Sequence, residues 1–93
     1  MLVIAHHFIQ QPDAFWSSAQ QFIASIPQNL KLISVFPSKD LKTGTCVWEA
    51  NSPGDVQNFL DKNLGSMSKN VCYEVNEEIA IGLPQKTMAE AMH

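Results

Sequence analysis

The 93-residue chain has few charges, few basic residues and no long apolar run, and each shortage excludes a class of protein. Six Lys and Arg residues stand against nine Asp and Glu residues, so the formal net charge is −3. The basic residues are scattered and form no stripe, which argues against nucleic acid as a partner. Because no apolar run approaches the ~20 residues of a membrane span, we expect no membrane partner either.

The first residues and the two cysteines bear on the location of the protein. The stretch from Met1 to His7 lacks the positive region and the small-residue cleavage site of a secretion signal. Cys46 and Cys72 both fall in predicted strands, where free thiols of a reducing compartment are the default interpretation. The sequence therefore predicts a cytoplasmic protein.

Segments with strand or helix character follow one another in the order strand, helix, strand, strand, helix, strand. Short apolar runs predict strands at 2–9, 30–36, 45–50 and 71–81, and helical spacing predicts helices at 12–26 and 52–64. This doubled pattern predicts an α+β, ferredoxin-like βαββαβ domain. Its four-stranded antiparallel sheet has the order 4-1-3-2, with two helices on one face. We assign residues 1–83 to this domain and residues 84–93 to a C-terminal arm or tail.

The second predicted helix carries the clearest boundary signals in the chain. Ser52 is a natural N-cap, Pro53 suits the first helical position, and Asp55 completes a capping box. Gly65 offers a left-handed residue at which the helix ends. We therefore expect a helix that begins just after Ser52 and ends just before Gly65.

The predicted strands are apolar on both faces. The first strand, for example, alternates between two apolar sets: Leu2, Ile4 and Phe8 on one side, Val3, Ala5 and Ile9 on the other. The helices cover only one face, so the other needs a second cover. An identical sheet from another copy is the simplest cover, which predicts a homodimer of the dimeric α+β barrel type joined through the open sheet face. A C-terminal arm folded back over that face is the alternative.

A pair of histidines lies in the middle of the predicted sheet. In the order 4-1-3-2 the first strand is central, so His6 and His7 lie between the two cysteine-bearing strands. Adjacent strand residues point to opposite faces, so only one of the two faces any dimer cavity. We favour His7 for the open face, because Val3 and Ala5 on its side are small and leave room for a cavity.

Three roles are open for these histidines: a buried, hydrogen-bonded structural residue, a ligand to a divalent transition metal, or an acid–base group in a small pocket. In the metal interpretation His6 and His7 are the ligands, although the sequence has neither C-x-x-C nor H-x-x-x-H spacing. A small-molecule ligand would be bound by His7, Trp48 and Tyr73.

The positions of the two cysteines and the absence of familiar catalytic motifs limit the reactions that the sequence predicts. Cys46 and Cys72 should be separated by the whole first strand, about 10 Å, which is too far for a disulfide. We interpret them as small buried hydrophobes. The sequence has no nucleophile elbow, phosphate loop or nucleotide fingerprint, so it assigns no catalytic residue.

Residues 45–56 (TCVWEANSPGDV) and the 73–75 strand (YEV) resemble a family of small bacterial domains of unknown function. The resemblance covers most of the chain up to about residue 83 and implies a ferredoxin-like fold. Some members of that family are nickel-binding homodimers, and that branch has a paired histidine in its first strand, as at His6 and His7. The branch carries a further histidine after the second helix, where this chain reads LGSMSK. The resemblance thus implies a homodimer and, as a cofactor, a divalent metal such as nickel, with one expected ligand missing.

The leading hypothesis is a small ferredoxin-like homodimer of no assigned activity that binds a small ligand or a divalent metal between its sheet and helices. One alternative is a cofactor-independent enzyme of the dimeric α+β barrel kind, similar to small monooxygenases or muconolactone isomerases. In such an enzyme a histidine or an acid abstracts a proton from a bound aromatic or lactone. The other alternative is a structural or interaction module.

Overall fold

The computed structural model describes residues 1–84, which form an α+β domain. The elements in chain order are β1 (Leu2–Ile9), α1 (Pro12–Ser17), α2 (Ala19–Ala24), β2 (Lys31–Pro37), β3 (Thr43–Glu49), α3 (Pro53–Leu64) and β4 (Ser68–Glu74). The strands make one antiparallel sheet in the order β2-β3-β1-β4, which reads 4-1-3-2 from the β4 edge. The predicted C-terminal arm, apart from Pro84, lies outside the described residues. Within residues 1–84 no helix is long and apolar enough to cross a membrane.

The segment predicted as one helix over residues 12–26 forms two short helices instead. α1 ends at Ser17 and α2 begins at Ala19, with Ser18 between them. The hydroxyls of Ser17 and Ser18 donate to the main-chain carbonyls of Ala14 and Phe15, three residues earlier. Hydrogen bonds of this kind compete with the helical ladder, so the central serines interrupt the helix that the apolar spacing predicts.

α3 begins as its sequence predicts but ends differently. Ser52 Oγ accepts a hydrogen bond from the Asp55 N–H at 3.1 Å, and Pro53 lies in the first turn, so the predicted N-cap is confirmed. Gly65 has a φ of −60° and is not left-handed, which makes that part of the prediction wrong. Glycine still suits this position, because a Cβ there would collide with the carbonyl oxygen of Asp61.

β4 begins three residues earlier than the predicted 71–81 and ends seven residues earlier. It spans Ser68–Glu74 and pairs with β1 from Val3 opposite Glu74 to Ile9 opposite Ser68. The strand begins with the polar residues Ser68, Lys69 and Asn70, whereas the apolar run that predicts it begins only at Val71. The exposed apolar residues Ile79 and Ile81, which extended the predicted strand, lie outside the sheet.

Alternation along the strands gives the sheet two different faces. The helix-facing residues of β1 are buried, with at most 8% of their surface exposed: Val3, Ala5, His7 and Ile9. They lie beside the buried Cys46 and Trp48 of β3. The open face carries large apolar side chains that are 41–61% exposed: Phe8, Phe36, Val71 and Tyr73. The sheet is therefore apolar on both sides, as its strand pattern predicts.

Candidate functional site

An apolar pocket lies between the helix-facing side of the sheet and the α1–α2 segment. Its free volume is about 40 Å³. Aromatic and aliphatic side chains from both helices, from β2 and from the end of α3 form its wall, among them Phe15, Trp16, Phe22, Leu32, Val35 and Leu64. The polar side chains that line it are His7 and Cys46, which lie on the neighbouring central strands β1 and β3.

Local contacts hold the α1 wall of this pocket in place. The Trp16 indole N–H donates to the main-chain carbonyl of Leu41 at 2.9 Å, which ties α1 to the β2–β3 hairpin. The Trp16 ring packs over Gly44, where a Cβ would lie 3.4 Å from the ring, an ordinary van der Waals contact. Phe15 packs edge-on against Trp16, with ring centroids 4.8 Å apart, and its ring also lies 5.5 Å from that of His7. The Trp16 hydrogen bond and the packed aromatic rings therefore hold α1 over the sheet.

His7 links the pocket to a buried polar network. Its Nδ1 lies 2.8 Å from Asn70 Oδ1, and its Nε2 lies 3.1 Å from Cys46 Sγ. The Asn70 Nδ2 donates to Asp61 Oδ1 at 3.1 Å, so the oxygen of this amide is the atom that faces the imidazole. An amide oxygen only accepts, so Nδ1 carries the ring proton and Nε2 accepts from the Cys46 thiol.

Asn70 is the centre of this network. Besides His7, its Oδ1 accepts from the Ser68 hydroxyl at 2.8 Å. Gln57 supports the network from α3. Its side-chain amide donates to the Asp61 carboxylate at 3.1 Å and to the main-chain carbonyl of Asn70 at 2.7 Å. α3 and β4 thereby fix the orientation of a side chain that is 6% exposed, and through it the orientation of the imidazole.

Burial keeps both members of the His7–Cys46 pair neutral. Desolvation lowers the pKa of His7 below its ordinary value; the Asn70 hydrogen bond opposes this shift and the charge of His6 adds to it. Desolvation also raises the pKa of the Cys46 thiol to about 12, with a smaller contribution from Cys72. At neutral pH the pair is therefore an uncharged thiol that donates to an uncharged imidazole.

The structure reverses the predicted orientation of the two histidines. His7 is 2% exposed and faces the helices, so our preference for the open face was wrong. The small Val3 and Ala5 beside it do not face a dimer cavity; they belong to the buried core together with Phe15 of α1 and Trp48 of β3. His6 faces the open side, where its Nδ1 lies 3.1 Å from Thr45 Oγ1 and its ring lies 5.8 Å from that of Tyr73.

Of the three residues predicted to bind a ligand, only His7 lines the pocket. Trp48 is fully buried and packs against Phe22 and Phe59, and its indole Nε1 has no hydrogen-bond partner among residues 1–84. Tyr73 lies on the opposite face of the sheet and is 48% exposed. The predicted ligand set is therefore divided between the core, the pocket and the open face.

The predicted metal ligands do not converge. His6 and His7 extend from opposite faces of β1, so their rings cannot bind the same ion. Within the described part of the chain, no three His, Cys, Asp or Glu side chains form a group that could hold a metal ion. The remaining histidine, His93, lies outside that part.

The sequence interpretation missed the partners of His7. Asn70 lies just before the predicted start of the last strand, and Cys46 was interpreted as a small hydrophobe. The alternation of Ser68, Asn70 and Cys72 on one face of β4 was the available signal, since polar side chains on the covered face of a strand need hydrogen-bond partners there. No family model, curated protein or solved structure matches this chain.

Proposed function

We propose that this protein binds a small aliphatic ligand in the pocket between its sheet and the α1–α2 segment. The observation that supports this proposal is the apolar pocket itself, with His7 and Cys46 in its wall. Apolar pockets with a few polar groups are the usual form of small-molecule sites. The polar atoms of the pair are already bonded to each other and to Asn70, so a ligand would bind mainly through apolar contact.

The size of the pocket indicates the ligand class. A free volume of about 40 Å³ is roughly three times the ~10–15 Å³ that one water molecule needs. This space suits a short, unbranched chain of about three or four carbons better than an aromatic ring. At about 0.8 kcal/mol per buried carbon, such a chain gains about 3 kcal/mol, which corresponds to a Kd of several millimolar. A physiological ligand would extend this chain towards solvent.

Methyl NMR with 1-butanol tests the proposal. Titration should shift the methyl signals of Ile23, Leu32 and Val35, which line the pocket. The methyl signals of Val56, which lies on the buried side of α3 and does not line the pocket, should stay unchanged. The Ala19→Leu variant should abolish these shifts, because the larger side chain fills the pocket.

The same substitution at Ala24, which is exposed in the same helix, is the matched control and should leave the shifts intact. Equal shifts in wild type and in the Ala19→Leu variant would show that butanol binds elsewhere, and shifts in neither protein would show that this pocket does not bind it. Either result contradicts the proposal.

We also propose that the domain is ferredoxin-like and forms a homodimer of the dimeric α+β barrel type through its open sheet face. The exposed Phe8 and Tyr73 on that face support this proposal, since isolated domains rarely leave such a surface in water. The polar His6 and Thr45 there are already hydrogen-bonded to each other, which lowers the cost of burying them. The resemblance to small bacterial ferredoxin-like domains, some of them homodimers, points the same way.

Analytical ultracentrifugation tests the dimer. Wild-type protein should sediment as a dimer at micromolar concentration, and Phe8→Lys should shift it to monomer, because a charge would be buried in the interface. Leu41→Lys changes an exposed leucine of similar size in the β2–β3 loop, away from the sheet face, and should remain dimeric. A monomeric wild type, or a dimer insensitive to Phe8→Lys, contradicts the proposal.

A second candidate function is the cofactor-independent enzyme. The observation that favours it is the neutral His7 in the pocket wall, with one nitrogen free of a proton and the other fixed by Asn70. Proton abstraction from a bound ligand would require Nε2 to exchange its thiol partner for the ligand.

The free thiols of Cys46 and Cys72 fit a cytoplasmic location. The nickel site implied by the resemblance would need ligands from outside residues 1–84 or from a second copy.

A further inference from the structure

Cys46 differs from an ordinary buried cysteine in what surrounds its sulfur. The thiol lies 3.1 Å from His7 Nε2, and the imidazole is oriented in turn by Asn70 at 2.8 Å. A nucleophile within hydrogen-bond reach of a base, with a third group that orients the base, is the arrangement of cysteine and serine acyl transfer. Both Cys46 and His7 line the apolar pocket, so the arrangement opens onto space that a ligand can enter.

The second cysteine shows that this arrangement is particular to Cys46. Cys72 lies on β4, which flanks β1 at the edge away from β3; it pairs with Ala5 and does not line the pocket. Its main-chain N–H is bound by Gln57, and no hydrogen bond between its thiol and a base is present among the described residues. Cys72 is also the more exposed of the two thiols. A comparison of the two cysteines therefore separates activation by a base from simple accessibility.

We propose that Cys46 is a nucleophile that accepts a short acyl group from an activated ester or thioester bound in the pocket, with His7 as its general base. Cys46 Sγ attacks the acyl carbonyl carbon while His7 Nε2 takes the thiol proton. The bond from the acyl carbon to the leaving oxygen or sulfur then breaks, and His7 returns the proton to that atom. The products are a thioester on Cys46 and a free alcohol or thiol, and no atom is oxidised or reduced.

The neutral state of the pair fits this chemistry. A buried thiol that holds its proton at neutral pH needs a neighbouring base during attack, and a neutral imidazole is available to take the proton. The titratable groups around the pair are Cys72 on β4, Asp61 on α3 and His6 on the far face of β1. The α1–α2 segment contributes only apolar side chains to the pocket. The proposal rests on ligand binding in the pocket and adds a covalent step to it.

Acylation of the whole protein by p-nitrophenyl butyrate tests this step. Mass spectrometry at neutral pH should find one butyryl group, on the peptide that contains Cys46, together with a stoichiometric release of p-nitrophenolate. The Cys72→Ala variant should react like wild type, and the Cys46→Ala variant should not release the stoichiometric p-nitrophenolate. General-base catalysis contributes a factor of about 10²–10⁴, so His7→Gln should slow acylation of Cys46 by about a hundredfold or more.

The pH profile separates a base from a merely structural histidine and does not depend on a variant that folds. With His7 as the base, the acylation rate should already be on a plateau at pH 6.5, because burial holds the pKa of His7 below that ordinary value and a neutral imidazole suffices. A rate that keeps rising towards pH 9 and beyond would indicate a free thiolate and would overturn the proposal. Preferential acylation of Cys72 would overturn it as well.

The Ala19→Leu variant distinguishes failure of this step from failure of ligand binding. Loss of acylation in that variant supports reaction within the pocket, whereas unchanged acylation shows that the ester does not use it. If 1-butanol binds in the pocket of the wild type but Cys46 is not acylated, the nucleophile is refuted and the binding proposal stands. If neither occurs, both are refuted.

Discussion

Replacing Asn70 by alanine should destabilise the protein far more than a typical asparagine substitution. Asn70 is 6% exposed and connects β1, α3 and β4 through one amide group. Removing it leaves the protonated Nδ1 of the buried His7 without an acceptor. The Ser68 hydroxyl is less affected, because it also lies 3.4 Å from the Leu64 carbonyl and can turn to it.

The magnitude follows from these contacts. An orphaned buried donor costs about 1–3 kcal/mol, and this term applies fully to His7 Nδ1. The lost hydrogen bond to Asp61 contributes only about 0.5 kcal/mol, because that carboxylate is exposed and keeps its contact with Gln57. We therefore expect Asn70→Ala to lower the free energy of unfolding by about 1.5–3.5 kcal/mol.

Urea denaturation followed by circular dichroism measures this loss. The midpoint should fall at an unchanged slope, since the variant alters stability and not the area exposed on unfolding. Asn63→Ala is the matched control: Asn63 is exposed, donates only to the Phe59 carbonyl within α3, and should change stability by no more than about 0.5 kcal/mol. Equal losses in the two variants would refute the network as described.

Three further predictions concern the helix cap and the two buried titratable groups. Ser52→Ala should lower stability by about 1 kcal/mol, because it removes the acceptor for the Asp55 N–H; an unchanged urea midpoint would contradict the cap. Because the pKa of His7 is lowered in the folded protein, this histidine takes up a proton near pH 6.5 in the unfolded chain but only at lower pH in the native state. The free energy of unfolding should therefore fall as the pH drops below about 6.5. A melting curve series from pH 7.5 to 5 should show this loss in wild type and in His6→Gln but not in His7→Gln; the same loss in all three would contradict burial of a neutral His7. The raised pKa of Cys46, about 12, has the opposite sign: unfolded thiols ionise near pH 9.0, so stability should fall above that pH, and less so in Cys46→Ala.

The parts of the fold that follow from local sequence were predictable. β1 has the predicted bounds, and α3 begins at the predicted cap, because strand alternation and capping residues act over a few neighbouring positions. The strand order follows from the order of the elements. The break at Ser18 was not predicted, because apolar spacing continues through the serines that interrupt the helix.

The site could not be predicted in the same way. The partners of His7 are Cys46, 39 residues away, and Asn70, 63 residues away. The face of β1 to which each histidine points depends on the side on which the helices pack, and both sides of that strand are apolar. The sequence therefore predicted His7 as a candidate site residue without its partners and placed it on the wrong face.

A crystal structure under xenon pressure tests the central claim most directly, because xenon enters apolar cavities and is located by its anomalous scattering. We predict a xenon atom in the pocket between the sheet and the α1–α2 segment, in contact with Phe15 and Leu64, and its absence from that pocket in Ala19→Leu. Xenon found only on the open sheet face, or nowhere in the molecule, would contradict a ligand pocket at this position.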